Sequence, residues 1–148
     1  MKLSYLLISY VFMLAVVYGT DVKLDLATHT GVQYTTEVKV DKGFNFSVSL
    51  KSNPSTGYSW VVSTQDLQKS GLGNVLTYLG SEYVQGSTDG TIRAGNSGVQ
   101  TLTFEVSGIG SGNLNLYYAQ PWTFNAKLQA GDSVESFKAK VIPVFSSL

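Results

Sequence analysis

The side chains that could do chemistry are few and poorly placed for catalysis. The chain has one histidine, His29, and no cysteine. A single imidazole cannot form a multi-histidine metal site, and a chain without thiols can build neither a cysteine zinc site nor a cysteine nucleophile. His29 lies in a short polar segment, 27–33, with no serine-nucleophile motif beside it, so we interpret it as a turn residue. The sequence predicts no catalytic residue, no metal and no cofactor.

Carboxylates are the remaining candidates for enzyme chemistry. A hydrolytic pair of acids can meet only in the fold, so the sequence does not exclude one. The ten acidic residues are scattered, however, and ten basic residues balance their charge. Because no basic stripe is present to neutralise phosphates, we expect no nucleic-acid partner. Without cysteine, the stability of the fold cannot depend on the redox state of its compartment.

The first residues have the layout of a secretory signal peptide. Lys2 supplies a positive start, residues 3–18 are almost wholly apolar, and small or branched residues precede a cleavage point near Gly19 and Thr20. A retained membrane anchor is the alternative, but the run is at or below the roughly 17–25 residues that span a bilayer. We therefore expect a signal peptide at 1–19 and one domain at 20–148, with no stable membrane span. The expected location is the secretory pathway, either secreted or in a lysosomal or phagosomal lumen.

The rest of the chain reads as all-β. Fifteen glycines separate short runs in which apolar and polar residues alternate with period two. Seven or eight strands are predicted, which favours two packed sheets; they lie near residues 22–26, 34–40, 44–51, 58–62, 75–84, 102–106, 113–118 and 137–141. Alternation places Tyr118 on an apolar face with Tyr117 outward, and Ala139 and Val141 inward with Lys140 outward. The only helical expectation is a single turn at 65–70.

Three segments with turn chemistry interrupt the strands. They are Asn53–Gly57, Asp89–Gly98 and Ala119–Trp122. Loops of a sandwich cluster at its two ends, so all three can share one tip.

The first segment is expected to be narrow, stiff and polar. Pro54 fixes its own φ and biases Asn53 towards an extended conformation, while Gly57 permits a positive φ. The Asn53 side chain can close the turn on nearby backbone. Ser55 and Thr56 are small and neutral, and they form the tip. An ordinary turn would have the same composition, so this segment alone does not decide its function.

Trp122 changes the interpretation of the third segment. A large indole directly after proline in a loop is typical of an interface hot spot. The alternative is that Trp122 folds back and covers the core.

Taken together, these segments resemble the three ordered motifs of the chagasin family, which inhibits papain-like cysteine peptidases. The resemblance rests on "NPSTGY", "GNSG" and "YAQPW" and covers roughly Thr30 to Val144. It implies an immunoglobulin-like β-sandwich with three inhibitory loops at one end, which form a wedge. Thr56 would lie nearest the catalytic cysteine of the peptidase, and Trp122 would lie on an aromatic surface at the rim. The implied peptidase-binding residues are Asn53, Pro54, Ser55, Thr56, Gly57, Tyr58, Gly95, Asn96, Ser97, Gly98, Gln120, Pro121 and Trp122.

Two residues depart from the family pattern. Ser97 stands where the family favours glycine, and Gln120 stands where it favours arginine. The second change removes a charge-assisted bond at the rim, so target choice or affinity can differ. The resemblance implies a monomeric inhibitor, with cathepsin L-like enzymes as the first choice of partner.

A different kind of function remains as the alternative. A β-sandwich without catalytic chemistry can also be a binding module for carbohydrate or a cell-surface ligand, here through Trp122, Tyr117 and Tyr118. Asn45-Phe46-Ser47 is an N-glycosylation sequon on a predicted outward face, and Asn45 either carries sugar or is an unused polar strand residue.

Overall fold

The computed structural model describes residues 19–86 and 97–148. The elements of this part of the chain follow in order: β1 Val22–Asp25, β2 Val38–Asp41, β3 Asn45–Ser52, a 3-10 turn Pro54–Thr56, β4 Ser59–Val62, α1 Thr64–Lys69, β5 Leu76–Gln85, β6 Gly98–Val106, β7 Gly110–Ala119, α2 Pro121–Ala130, a 3-10 turn Glu135–Phe137, and β8 Lys138–Ser147. No helix in these two ranges is long and apolar enough to cross a bilayer. The predicted signal peptide lies almost wholly in residues 1–18, outside the described part.

The strands form two four-stranded sheets. The first has the order β1-β3-β6-β5 and the second has the order β2-β8-β7-β4. Two edge strands, β1 and β2, pair in parallel with β3 and β8, and the remaining pairs are antiparallel. The predicted all-β sandwich of seven to eight strands is confirmed, with eight strands in the described ranges. The predicted strand at 34–40 is shorter than expected, since only its end forms β2.

The main core lies between the sheets because alternate residues of β3, β6, β7 and β8 point inward. Its members are fully or almost fully buried apolar side chains, among them Phe46, Val48, Leu50, Leu102, Phe104, Leu114, Leu116, Ile142 and Val144. Phe46 and Phe104 stack at a centroid distance of 6.0 Å across the β3–β6 pair. The period-two pattern therefore predicted the inward faces of β3, β6 and β7 correctly.

A second, smaller core lies on the outer face of the second sheet. Tyr117, Ala119, Phe124 and Val134 are buried there. Phe124 comes from α2, a helix that the sequence did not predict, and it packs against the Tyr117 ring at 5.1 Å. The expectation that Tyr117 faces solvent is wrong because α2 covers this face of β7. The Tyr117 hydroxyl also donates a hydrogen bond to Asp66 of α1, and burial raises the pKa of the Asp66 carboxyl.

Lys140 of β8 is buried, which also corrects the expected orientation of this strand. The pairing of β7 with β8 shifts register, so Lys138 lies opposite Tyr117 while Lys140 lies opposite Leu116. A β-bulge of this kind puts the two lysines on opposite faces of the sheet. The Lys140 Nζ atom lies 2.8 Å from His29 Nδ1 and donates to the carbonyl oxygens of His29, at 3.1 Å, and Gly31. Burial lowers the pKa of Lys140.

Candidate functional site

The ends of the strands bring the first and third segments and the base of the second together at one end of the sandwich. Ser52, the last residue of β3, pairs with Gly98, the first residue of β6. In the second sheet, Ser59 at the start of β4 pairs with Ala119 at the end of β7. The first loop, residues 53–58, therefore crosses from one sheet to the other between the bases of the other two segments. Asn45 lies at the opposite end of β3 and is exposed, and its backbone N–H donates to Asp21 Oδ1 at 2.9 Å.

The backbone of the first loop follows from its proline and its glycine. Pro54 begins the single 3-10 turn, and Asn53 before it is extended, with φ −133° and ψ 85°. Gly57 ends the turn with φ +82°, in the left-handed region that favours glycine. The Gly57 N–H donates to the Pro54 carbonyl at 2.9 Å. The predicted backbone conformation of Asn53, Pro54 and Gly57 is therefore the one observed, whereas the Asn53 side chain does not cap the turn and instead accepts from the Ser55 hydroxyl.

The hydroxyl groups at the tip are used within the loop. The Ser55 hydroxyl donates to Asn53 Oδ1 at 2.6 Å, and the Thr56 hydroxyl donates to the Asn53 carbonyl at 2.8 Å. The Tyr58 N–H donates weakly to Thr56 Oγ1 at 3.4 Å. Pro54, Ser55 and Thr56 are all exposed. Since these bonds hold the loop in one shape, the tip is stiff before it meets a partner.

The third segment is the start of a helix rather than a loop. Gln120 precedes α2, Pro121 is its first residue, and the Phe124 N–H donates to the Gln120 carbonyl at 3.0 Å. Proline is favoured at the first helical position because its missing N–H would have no partner there. Phe124 anchors the helix in the smaller core. Trp122 is 63% exposed, so the alternative in which it covers the core is wrong.

Trp122 also contacts the first loop. A Cβ atom built on Gly57 would come within 2.9 Å of Trp122 Cη2 and 3.5 Å of Gln120 Nε2. The indole edge therefore lies against the Gly57 backbone, and a residue larger than glycine would force the indole to move. Through this contact the first and third segments form one continuous surface.

The second segment is described only at its base. Gly95, Asn96 and residues 89–94 lie outside the described ranges, whereas Ser97 is half-buried and Gly98 is buried. A Cβ atom on Gly98 would lie 2.1 Å from the Val84 carbonyl oxygen, so this position has no room for a side chain. The Ser97 carbonyl accepts from the Gly86 N–H at 3.2 Å, which closes the β5–β6 connection beneath the loop.

An aromatic cluster supports the first loop from below. The ring of Tyr118 stacks on Tyr58 at 5.7 Å and packs against Trp60 at 5.1 Å. The Tyr118 hydroxyl accepts from the Asn53 N–H at 3.2 Å, and Trp60 Nε1 donates to the Lys51 carbonyl at 2.9 Å. An open cleft of about 490 Å³ beside this cluster is lined by Asn53, Trp60 and Ser97, among others. Because Tyr118 is engaged here and Tyr117 is buried, the binding-module alternative loses two of its three aromatic residues.

Sequence reasoning missed two residues that hold this end together, Trp60 and Gln100. Trp60 lies in the predicted strand near residues 58–62, and the sequence pattern indicates no function for it. Gln100 is 6% exposed and lies on the inward face of β6, two residues before Leu102. A polar residue in register with the inward face was the signal that could have found it.

The surface made by the first and third segments is neutral. Residues 53–58 and 119–122 contain no charged side chain. Within residues 19–86 and 97–148, no group of three or more histidine and acidic side chains is close enough to hold a metal ion. The arrangement is thus suited to shape-complementary contact, with stiff backbone at the centre and an exposed indole beside it.

Comparisons with known proteins agree with this geometry. The chagasin family of peptidase inhibitors, I42, matches residues 39–141. Amoebiasin-1 from Entamoeba histolytica is 33% identical over 93 residues, which cover 62% of this chain and 79% of that protein.

Two solved structures share the fold. The cysteine protease inhibitor EhICP2 from Entamoeba histolytica has a TM-score of 0.53 at 13% identity, with 87% of this chain and 96% of that one covered. The solution structure of amebosin has a TM-score of 0.52 at 22% identity, with 88% and 99% covered. Because the family model matches residues 39–141, more than half of the sequence, this chain belongs to the chagasin family of peptidase inhibitors, and the predicted function of peptidase inhibition rather than catalysis is confirmed at the level of the family.

Proposed function

We propose that the loop end of the sandwich enters the active-site cleft of a papain-like cysteine peptidase as a wedge. The first loop forms the centre of the wedge, and Thr56 lies at the tip, closest to the catalytic thiolate. The observation that supports this most directly is the contact between Trp122 and Gly57, which joins two of the three segments into one surface. The pairing of Ser52 with Gly98 brings the base of the remaining segment to the same place.

The wedge needs no chemistry of its own. It blocks the nucleophile physically, and cleavage is avoided if no peptide carbonyl is presented in line with the sulfur. Hydrogen bonds within residues 53–58 already fix the loop, so little conformational entropy is lost on binding. Without a cysteine, the inhibitor also cannot exchange thiols with the active site.

The proposed partners are papain-like enzymes, with cathepsin L-like peptidases preferred, and the proposed inhibitor is a monomer. Titration of residues 20–148 against papain and a cathepsin L-like enzyme tests this directly. We expect tight, stoichiometric inhibition, since a standard interface of about 1,600 Å² supports it when the anchors are good. A folded domain that gives no inhibition at micromolar concentration would overturn the proposal for these targets. Light scattering of the free protein and of the complex tests the monomer and the one-to-one ratio.

Gln120 offers a test of the third segment. Its Nε2 lies near Gly57, at the edge of the wedge, and its Oε1 accepts from the Thr123 hydroxyl at 3.4 Å. Arginine at this position would add a charged donor at the rim, worth about 0.2–1 kcal/mol when solvent-exposed. We therefore expect Gln120→Arg to lower the inhibition constant severalfold, with the gain reduced at high salt. The matched control is Gln120→Met, which adds no charge; an unchanged inhibition constant for the arginine variant would show that this departure from the family pattern is neutral.

We further propose that the chain enters the secretory pathway and that Asn45 carries the glycan. Asn45 is exposed at the end of β3 opposite the wedge, so a sugar there leaves the inhibitory loops uncovered. Expression of the full chain in an N-glycosylating host should give secreted protein that begins near Thr20 and loses mass with peptide N-glycosidase. Ser47→Ala should abolish that mass change and leave inhibition intact. Intracellular protein that retains Met1 would contradict the proposal.

A further inference from the structure

Gln100 makes an unusual connection between the two sheets. It lies on β6 of the first sheet, and its side-chain amide meets the backbone of Trp60 on β4, the edge strand of the second sheet. Gln100 Oε1 accepts from the Trp60 N–H at 3.0 Å, and Gln100 Nε2 donates to the Trp60 carbonyl at 3.2 Å. The side chain therefore pairs with the edge of β4 as the backbone of a neighbouring strand would.

The remaining hydrogen-bonding capacity of the Gln100 side-chain amide is also used. Oε1 accepts a long bond from the Ser52 hydroxyl at 3.4 Å, and Nε2 donates to the Ser81 hydroxyl at 3.1 Å. An amide has two donors and an oxygen with two lone pairs, so this group uses its full capacity. The orientation of the amide is fixed by its partners, because the Trp60 N–H can only donate and the Trp60 carbonyl can only accept.

The partners of Gln100 lie at both ends of the first loop. Ser52 directly precedes Asn53, and Trp60 comes two residues after Tyr58. Gln100 itself comes two residues after Gly98, at the base of the second segment. One buried side chain thus connects both stems of the first loop with the strand that leaves the second. Trp60 Nε1, on the stem that follows the loop, donates a separate bond to the Lys51 carbonyl on the stem that precedes it.

Stability of the core alone does not account for this residue. The inward positions of β6 that follow it, Leu102 and Phe104, are apolar, and burial of an amide is unfavourable unless every polar atom finds a partner. A satisfied buried network, by contrast, restricts a structure to one arrangement. The arrangement fixed here is the spacing of the two stems from which the wedge extends.

We propose that Gln100 is a positioning residue of the inhibitor, which holds the first loop at the separation and angle needed for entry into the peptidase cleft. This inference rests on the proposed wedge. It predicts that damage to the amide network weakens inhibition by the folded protein, beyond any loss of stability. Gln100 touches no part of the peptidase and acts only through Ser52 and Trp60.

Gln100→Glu provides a test with a pH signature. An ionised carboxylate can accept from the Trp60 N–H but cannot donate to the Trp60 carbonyl, whereas a protonated carboxyl group can do both. Burial raises the pKa of a carboxyl group above its ordinary value of about 4.3, so the variant is protonated at pH 4.5. A carboxyl-carbon NMR titration of the free variant gives the higher pH, about 7.5 or above, at which the group is ionised. We expect the inhibition constant of the variant for papain, relative to wild type at the same pH, to rise about tenfold or more at that higher pH, a ratio within the range for a buried carbonyl that loses its donor. At pH 4.5 it should return to within a few-fold of wild type.

Two further variants separate positioning from folding. Gln100→Met keeps an unbranched side chain of similar length without an amide, and it should weaken inhibition at both pH values. Ile142→Val trims a buried core residue on β8, and it should lower the melting temperature with no change in the inhibition constant of the folded fraction. If the Gln100 variants behave like Ile142→Val, or if Gln100→Glu shows no pH dependence relative to wild type, the inference is wrong.

Hydrogen exchange keeps the test independent of the peptidase. The amides of residues 53–60 should exchange faster in Gln100→Met than in wild type, while those of β7 and β8 stay protected. Unchanged exchange in 53–60 would overturn the positioning role even if inhibition were altered. If instead wild-type protein fails to inhibit any papain-like enzyme but the exchange result holds, the wedge fails and the connection between the loop stems stands.

Discussion

Replacing Thr56 by arginine should remove inhibition and leave the melting temperature of the free protein nearly unchanged. Thr56 is exposed at the tip of the first loop, and its side-chain bonds are local: one to the Asn53 carbonyl at 2.8 Å and a weak one from the Tyr58 N–H. Loss of these costs about 1 kcal/mol of stability at most. In the complex, by contrast, a long charged side chain would have to enter a narrow cleft without a partner. We expect the inhibition constant to rise about 100-fold or more, equivalent to ~3 kcal/mol of binding.

Thr56→Ser is the matched control. It keeps the hydroxyl and its two local bonds and removes only the methyl group, so inhibition should weaken by no more than severalfold. The measurements are the inhibition constant against papain and the melting temperature of each variant. If arginine lowers stability and inhibition together, the loop is part of the folding unit rather than the contact surface. If arginine leaves inhibition intact, Thr56 does not lie near the nucleophile.

The sequence predicted the conformation of the first loop well because its determinants are local. Pro54 fixes its own φ wherever it stands, and Gly57 is the residue of the loop that can adopt a positive φ without strain, as its observed φ of +82° shows. The inward residues of β3 and β6 could also be predicted from the sequence, because period-two alternation requires only that one face of the strand is buried. The sandwich architecture allowed the segments to share one end, and the pairing of Ser52 with Gly98 and of Ser59 with Ala119 shows which strand ends meet there.

The error at Tyr117 has a different cause, because the burial of a strand residue also depends on which element packs over its face of the sheet. Tyr117 is on the outward face of β7 as predicted, yet it is buried because α2 packs over it. The helix itself escaped notice since Phe124 is its one fully buried residue and no amphipathic stripe repeats along it. Its capping signals, Pro121 at the start and Gly131 at the end, were nevertheless present. Lys140 alternates regularly with the buried Ile142 and Val144, and its orientation was predicted wrongly because the phase of β8 was taken from Ala139 and Val141.

Trp122→Ala is expected to cost ~2–4 kcal/mol of binding free energy, the range for an interface hot spot. The inhibition constant would rise about 30- to 700-fold. The free protein should lose little stability, because the indole is 63% exposed and its described packing is the edge contact with Gly57. Helix α2 should remain in place, since Phe124 rather than Trp122 holds it on the sheet.

Two controls make this prediction decisive. Ile109→Ala trims another exposed apolar side chain, 56% exposed in the hairpin between β6 and β7 at the opposite end from the wedge, and should change neither binding nor stability. Phe124→Ala empties a buried site in the same helix and should cost about 3–5 kcal/mol of stability. A large fall in melting temperature for Trp122→Ala would place the indole with Phe124, as support for the helix. Loss of inhibition at unchanged stability would place it on the contact surface, because removal of an exposed anchor weakens binding and leaves the packing of the free protein intact.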